Sequence, residues 1–204
     1  MNVLIDIRLL GREGQSGVAE YTFHLVDNLI KLAPADYHFQ LFYNGLKKRP
    51  LPSHWLTAPN VSVINSYYPN KFFNALNLFH FPINKFIKTD LIFSPHIDLL
   101  NSLGNPRILT VHDLYFIHYK YIFSYKQRFW HYFQKIKRQI VQADHIITNS
   151  QYTKKDIMET LDVSENKISV IYPGIIKDFP LVRSHKREIR YPYILYLGTL
   201  EPRK

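Results

Sequence analysis

The chain has 204 residues, 46% of them hydrophobic and 21% charged, which is the make-up of one globular domain, or one with an appendage, and excludes a disordered chain. It contains no cysteine, which excludes a disulfide scaffold, a zinc–cysteine site, an iron–sulfur cluster and a thiol nucleophile, and fits a reducing cytoplasm. A formal net charge of +10 attracts phosphate, anionic lipid or nucleic acid without choosing among them.

In chain order, Val3, Leu4, Ile5, Asp6 and Ile7 form a short apolar run that leads into a loop holding Gly11, Gly14 and Gly17. This predicts a buried strand followed by a turn. Asp6 and Arg8 interrupt the apolar stretch, and neither a basic lead nor a small-residue cleavage site is present, so the start does not read as a signal peptide. No apolar run reaches the roughly 18–20 residues that span a bilayer. The expectation is a soluble protein that meets a membrane only at its surface.

Ser16 is placed to cap a helix with the stripe Val18, Tyr21, Leu25, Leu29 and Leu32, which Pro34 stops. Residues 38–43 and 61–64 read as strands, and 70–88 as helix interrupted at Pro82. Residues 90–94 and 107–111 read as strands, the second ending at His112 and Asp113. Residues 115–143 are aromatic and basic, helical at least in their second half. A strand follows at 144–148, then a helix capped by Ser150 and carrying Ile157, Met158 and Leu161, then a strand at 168–171 closed by Tyr172, Pro173 and Gly174. Residues 175–190 have no strong period and read as linker, and 193–198 open a new apolar strand. The pattern predicts an α/β fold, a Rossmann-like parallel sheet with helices on both faces. Ligands in such sheets bind beyond the carboxyl ends of the strands, so the candidate loops follow Ile7, Ser94, Val111, Thr148 and Tyr172.

Three features carry candidate chemistry. The spacing of Gly11, Gly14 and Gly17 is not the dinucleotide fingerprint; the loop either lets backbone N–H groups approach a phosphate or is a turn that needs positive φ. His112 and Asp113 stand where these sheets place ligand contacts, as a hydrogen-bonding pair for a sugar or phosphate or as a capping Asp beside a structural His. Residues 115–143 hold Lys120, Lys126, Arg128, Lys135, Lys137 and Arg138 and no Asp or Glu. That segment is an ordinary helix with a solvated basic face, an interfacial membrane patch or a nucleic-acid surface. No nucleic-acid motif accompanies the charge. There is no nucleophile elbow, P-loop or metalloprotease motif, and His and Asp show no metal-ligand spacing.

Read together, five stretches resemble the N-terminal half of a family 4 glycosyltransferase of the GT-B fold. They are Ser16 to Thr22 at the first helix, Leu109 to Leu114 at a strand end, Ile147 to Thr153 at a strand-to-helix junction, Val170 to Ile175, and Tyr193 to Lys204 with its closing Glu201, Pro202, Arg203 and Lys204. The resemblance implies a first domain over 1–174, a linker over 175–191, and at 192–204 the first strand and loop of a second, nucleotide-sugar-binding domain. It implies retaining transfer of a sugar from a nucleotide-sugar donor to a hydroxyl of a glycan or lipid-linked acceptor, with no metal and no other cofactor. In it, Gly17 puts backbone donors near the donor diphosphate, His112 contacts the transferred sugar and Asp113 holds that loop. Arg203 and Lys204 neutralise the departing diphosphate. The expected partners are the donor, the acceptor, an anionic membrane surface at the inner face of the membrane and a C-terminal domain, not nucleic acid. This chain alone is expected to have no meaningful turnover. The alternatives are a non-catalytic half-protein that pairs with a separate C-terminal chain, and a basic nucleic-acid-binding domain.

Overall fold

The computed structural model describes residues 1–11, 16–45, 50–67, 82–174 and 191–196. Its centre is a sheet of seven parallel strands in the order β3-β2-β1-β4-β5-β6-β7. The strands are β1 Asn2–Asp6, β2 His38–Tyr43, β3 Val61–Asn65, β4 Leu91–Ser94, β5 Arg107–Val111, β6 His145–Thr148 and β7 Ile168–Val170. Between them run α1 Gly17–Leu32, α2 Ser53–Thr57, α3 Tyr115–His118, α4 Tyr125–Phe133, α5 Ile136–Gln142 and α6 Gln151–Leu161. This is the Rossmann-like α/β arrangement that the alternation of strands and helices predicts.

Right-handed crossovers decide which face each helix covers. The chain steps one way from β1 through α1 to β2, and the other way from β5 through α3–α5 to β6, so these helices lie on opposite faces. Side chains sort accordingly. Val3, Ile5, Phe39, Leu41 and Phe93 pack with Val26 of α1 and Trp55 of α2. Leu4, Phe42 and Ile92 point the other way, onto Ile83, Ile87 and Leu100. On that second face Leu109, Val111 and Ile146 meet Ile136, Ile140 and Ile157. Burying one such aliphatic side chain contributes about 1.5–3 kcal/mol.

The local signals act as expected at the caps. Ser16 Oγ accepts from Ala19 N–H, and Ser150 Oγ accepts from Thr153 N–H. The second half of residues 115–143 is helical as expected, and the segment as a whole is three short helices with a 3₁₀ turn at Lys120–Ile122. Ser124 starts a new helix with a capping box, and Lys135, at φ 47°, turns the chain left-handed between α4 and α5. The helix expected over 70–88 is described only from residue 82, where Pro82 precedes a single 3₁₀ turn, Ile83–Lys85; residues 70–81 lie outside the described residues. Helix α2 is not legible from the pattern. It is five residues long beside Pro50 and Pro52, yet it carries the fully buried Trp55.

The chain divides into two compact units, Met1–Tyr172 and Pro173–Lys204. In the second unit the described residues 191–196 have no strand pairing. Of the apolar run expected as a strand over 193–198, residues 193–196 are outside any strand and 197–198 lie outside the described residues.

A buried ion pair closes the carboxyl end of β1. Asp6 is fully buried, and Arg8 reaches it with Nε to Oδ1 at 2.9 Å and Nη2 to Oδ2 at 2.6 Å. The same Nη2 donates to the Leu99 carbonyl at 3.1 Å. Burial alone would raise the Asp6 pKa; the charge of Arg8, then that of His96 and the Arg8 hydrogen bonds, outweigh it and hold it at about 2. A folded-state pKa below the ordinary 3.8 contributes stability that is present above that value and is lost as pH falls toward 2, about 2 kcal/mol in all. Asp6→Asn removes the carboxylate that Arg8 hydrogen-bonds and leaves the buried guanidinium only the weaker influence of Asp98. It is expected to cost about 3–5 kcal/mol in urea unfolding, while the double change Asp6→Leu with Arg8→Met recovers most of that loss. A single variant as stable as wild type would show that the pair is not what holds this strand end.

Candidate functional site

Strand order reverses between β1 and β4, and the crevice beyond their carboxyl ends is where open parallel sheets bind ligands. Its floor is charged and internally paired. His96 follows β4, with Nε2 at 3.6 Å from Asp6 Oδ1 and Nδ1 accepting from Asp98 N–H at 3.3 Å. Asp6, Arg8, His96 and Asp98 are all buried. The sequence gives one signal of this floor, two charges beside an apolar strand.

Beside the crevice, β5 ends at His112. Its Nε2 lies 3.1 Å from the Pro95 carbonyl. A carbonyl oxygen only accepts, so this contact assigns the Nε2–H tautomer and leaves Nδ1 as an acceptor. The ring meets Tyr21 of α1 edge-on, with centroids 4.8 Å apart. The His112 carbonyl accepts from Thr153 Oγ1 at 3.2 Å, in the first turn of α6. Three elements therefore fix this one residue. Tyr21 and Thr153 both fall within the stretches that carry the family resemblance, but their meeting at His112 depends on the sheet order.

Asp113 is exposed, and its Oδ1 accepts from Tyr115 N–H at 3.1 Å. It caps the chain entering α3, and its charge reaches the imidazole without a hydrogen bond to it. Gly17 is the first residue of α1. It does not have positive φ, and a Cβ built there meets nothing within 4 Å. The turn reading is thereby corrected for Gly17: neither backbone conformation nor packing among the described residues requires glycine at this position. Gly14, Arg203 and Lys204 lie outside the described residues. Gly17 and His112 are brought to the same end of the sheet through α1, whose Tyr21, four residues on, touches the imidazole. Among the described residues no group of three or more His, Cys, Asp or Glu is arranged to hold a metal ion, and no helix is long and apolar enough to cross a membrane.

A parallel sheet of this order, with helices on both faces and its order reversing between β1 and β4, defines a Rossmann-like α/β domain. The profile of the family described as Glycosyltransferase Family 4 matches residues 15–179, and the chain belongs to that family. Among solved structures, a variant of the wall teichoic acid polymerase TagF is 13% identical with a TM-score of 0.47, over 83% of this chain and 37% of that one. Anabaena HepE, in complex with UDP and glucose, is 14% identical with a TM-score of 0.46, over 86% of this chain and 45% of that one. The chain thus spans less than half the length of either. No curated protein matches it significantly.

Burial lowers the His112 pKa below 6.5; the Pro95 carbonyl and Asp113 oppose that shift, and the nearby His96 adds to it. The ring is therefore neutral at pH 7. Its contribution to stability is present above 6.5 and is lost as pH falls below it, where the unfolded chain takes up the proton more readily. Proton NMR of the ring is expected to show a midpoint below 6.5. A midpoint at or above 6.5 would mean that Asp113 and the carbonyl, not burial, govern the site.

Proposed function

We propose that this chain is the acceptor-side part of a retaining glycosyltransferase, moving a sugar from a nucleotide-sugar donor to a hydroxyl of a glycan or lipid-linked acceptor. In this reading residues 1–174 are the acceptor-side domain, 175–191 a linker and 192–204 the opening of a nucleotide-sugar-binding domain. The reaction takes place in the cytoplasm at the inner face of a membrane and belongs to polysaccharide biosynthesis. The observation that carries it is His112, a neutral imidazole held by three separate elements at the carboxyl end of a central strand in a chain of this family.

The chemistry follows from that geometry. With Nε2–H committed to Pro95, Nδ1 accepts a hydrogen bond from a hydroxyl of the transferred sugar and orients its anomeric carbon. Asp113 serves by fixing the turn into α3 rather than by transferring a proton. The bond from the anomeric carbon to the diphosphate breaks as the acceptor oxygen bonds to the same face of that carbon, and the acceptor's proton passes to the departing diphosphate oxygen. The charge that develops on the diphosphate is met by the α1 N-terminus at Gly17 and by Arg203 and Lys204. The reading needs no metal, because these cations do the neutralising. Gly17 supports the donor site: among the described residues nothing lies within 4 Å of a Cβ built there, which leaves room for a ligand.

The test is a transferase assay on the whole gene product, with nucleotide-sugars and a lipid-linked or glycan acceptor. His112→Ala is expected to lower kcat roughly 10²-fold, and the product is expected to keep the donor's anomeric configuration by NMR. Unchanged kcat in His112→Ala sinks the site assignment, and an inverted product sinks the retaining mechanism. Gly17→Ala is expected to change stability by less than about 1 kcal/mol yet raise the KM for the donor. A Gly17→Ala enzyme with wild-type KM would remove Gly17 from the donor site. The 204-residue chain by itself is expected to show no turnover.

A further inference from the structure

A second cavity lies at the amino ends of β5, β6 and β7. It is a cleft of about 830 Å³ whose lining includes Arg107, the first residue of β5, Asp144, just before β6, and Lys167, just before β7. His112 stands past the other end of β5, roughly 16 Å from Arg107 along an extended strand. The cleft and the crevice beyond the carboxyl ends of the strands are therefore different sites. Lys135 borders the cleft on one side and, on the other, an aromatic groove walled by Phe116, Phe123, Phe129 and Phe133. No described residue lining the cleft is Tyr, Phe or Trp.

The charge of the cleft is one-sided. Lys85, Arg107, Lys135, Arg138 and Lys167 line it, and Asp144 is the one carboxylate among its described lining residues. Asp144 is already engaged, since its Oδ2 accepts from the Arg107 backbone N–H at 2.8 Å. The cations come from separate elements: Lys85 from the 3₁₀ turn before β4, Lys135 and Arg138 from the start and body of α5, and Lys167 from a 3₁₀ turn before β7. Neutral groups place two of them and leave their charge in force. Lys167 Nζ donates to the Ala143 carbonyl at 3.3 Å, and Arg138 Nε donates to Gln142 Oε1 at 3.1 Å. Like charges on the walls of one concavity focus a positive potential inside it.

Arg107 adds a buried charge to that field. Its guanidinium donates to Ser94 Oγ and to Gln139 Oε1, both neutral. The carboxylate charge felt there is that of Asp6, which Arg8 already holds with two hydrogen bonds. Gln139, which takes one of the Arg107 bonds, lines the cleft as well. A buried cation without a carboxylate bonded to it is costly, and an anion in the cleft supplies countercharge beside it.

We propose that this cleft binds a small anion carrying several phosphate groups. Lysine and arginine meet phosphate oxygens with charge-assisted hydrogen bonds, and a single phosphate would leave most of these cations unmet. Asn101 and Asn105 add amide donors to the same lining. With no ring in the lining, there is no platform for a stacked base and no interfacial aromatic to seat the cleft at a bilayer. The volume falls in the range of roughly 300–1,000 Å³ that encloses one small ligand.

The test is titration calorimetry of the 204-residue chain with inorganic tripolyphosphate, without divalent metal and at about 0.15 M salt, where long-range surface attraction is screened. One site is expected, with orthophosphate bound about tenfold more weakly or less. Arg138→Gln with Lys167→Gln is expected to weaken tripolyphosphate binding about tenfold. Lys126→Gln with Lys155→Gln removes the same charge away from the cleft and is expected to change it less than about twofold. Circular dichroism checks that both pairs keep the fold. Amide NMR shifts on adding tripolyphosphate are expected to centre on Asn101, Asn105, Gln142 and Lys167 and to spare Gly17, His112 and Asp113. No binding of tripolyphosphate overturns the proposal. Equal weakening by the two pairs also overturns it, because net charge then explains the attraction. Shifts centred on Gly17 and His112 move the anion to the crevice and remove the cleft site. Tighter binding of a single-stranded oligonucleotide, or of phosphatidylglycerol vesicles, that the cleft pair abolishes assigns these cations to nucleic acid or to a bilayer and overturns the small anion. Neither donor nor turnover enters these measurements, so their outcome and that of the transferase assay are independent.

Discussion

The arrangement depends on how the chain leaves β1. A parallel sheet covered on both faces has no solvent for a charge at a strand end, so Asp6 is tolerated only because Arg8 returns onto it with two hydrogen bonds. The same guanidinium reaches the carbonyl of Leu99, in the segment that follows β4. One ion pair thereby links the two strands at which the sheet order reverses. It also makes the floor of the crevice rigid and polar, while apolar clusters lie on both faces beside it. Such pairs add little net stability compared with an apolar replacement. Their value here lies in position: they fix where β1 ends and where the loop after β4 begins.

A second polar network carries that order to the other half of the sheet. Arg107, at the start of β5, donates to Ser94 Oγ and to Gln139 Oε1 at 2.7 Å. Burial pulls its pKa down to about 10, Asp6 opposing and Arg8 reinforcing the shift. Gln139 in turn donates to the carbonyls of Ile97 and Gln134. These bonds tie the loop after β4 to helix α5. Pro95 lies in that loop, and Pro95 is what fixes the tautomer of His112. The imidazole is thus set by backbone and by neighbours from distant parts of the chain, not by the Asp beside it in sequence. A side chain held in that way needs little further ordering when a ligand arrives.

Helices α3–α5 are a different kind of structure. Their inner residues Ile136 and Ile140 complete the core beside β5 and β6, and their outer residues are rings and cations. The left-handed turn at Lys135 separates the two roles. Gln134 turns inward to Leu99, while Lys135 stands between the aromatic groove and the polar cleft. A continuous helix would carry Gln134 and Lys135 only 100° apart around one axis, and the kink changes where that axis points.

By itself, the sequence determined the parallel α/β fold, since apolar runs of strand length alternating with capped, amphipathic helices leave few other solutions. It placed β2 and β5 residue for residue and marked Ser16 and Ser150 as caps, because those signals are local and act through the next three backbone N–H groups. It pointed to His112 from its place after an apolar strand. Tertiary structure alone decided that Asp6, Arg8 and His96 form one floor, that Tyr21, Pro95 and Thr153 meet at His112, and that Asp113 caps a turn instead of orienting the ring. Each of these joins residues far apart in the chain, and the strand order that brings them together follows from the whole sheet. It also decided that half of an aromatic segment packs inward and half faces out. The eight residues after Lys135 hold no Tyr, Phe or Trp, but only the turn at Lys135 and the packing of Ile136 and Ile140 set where the division falls.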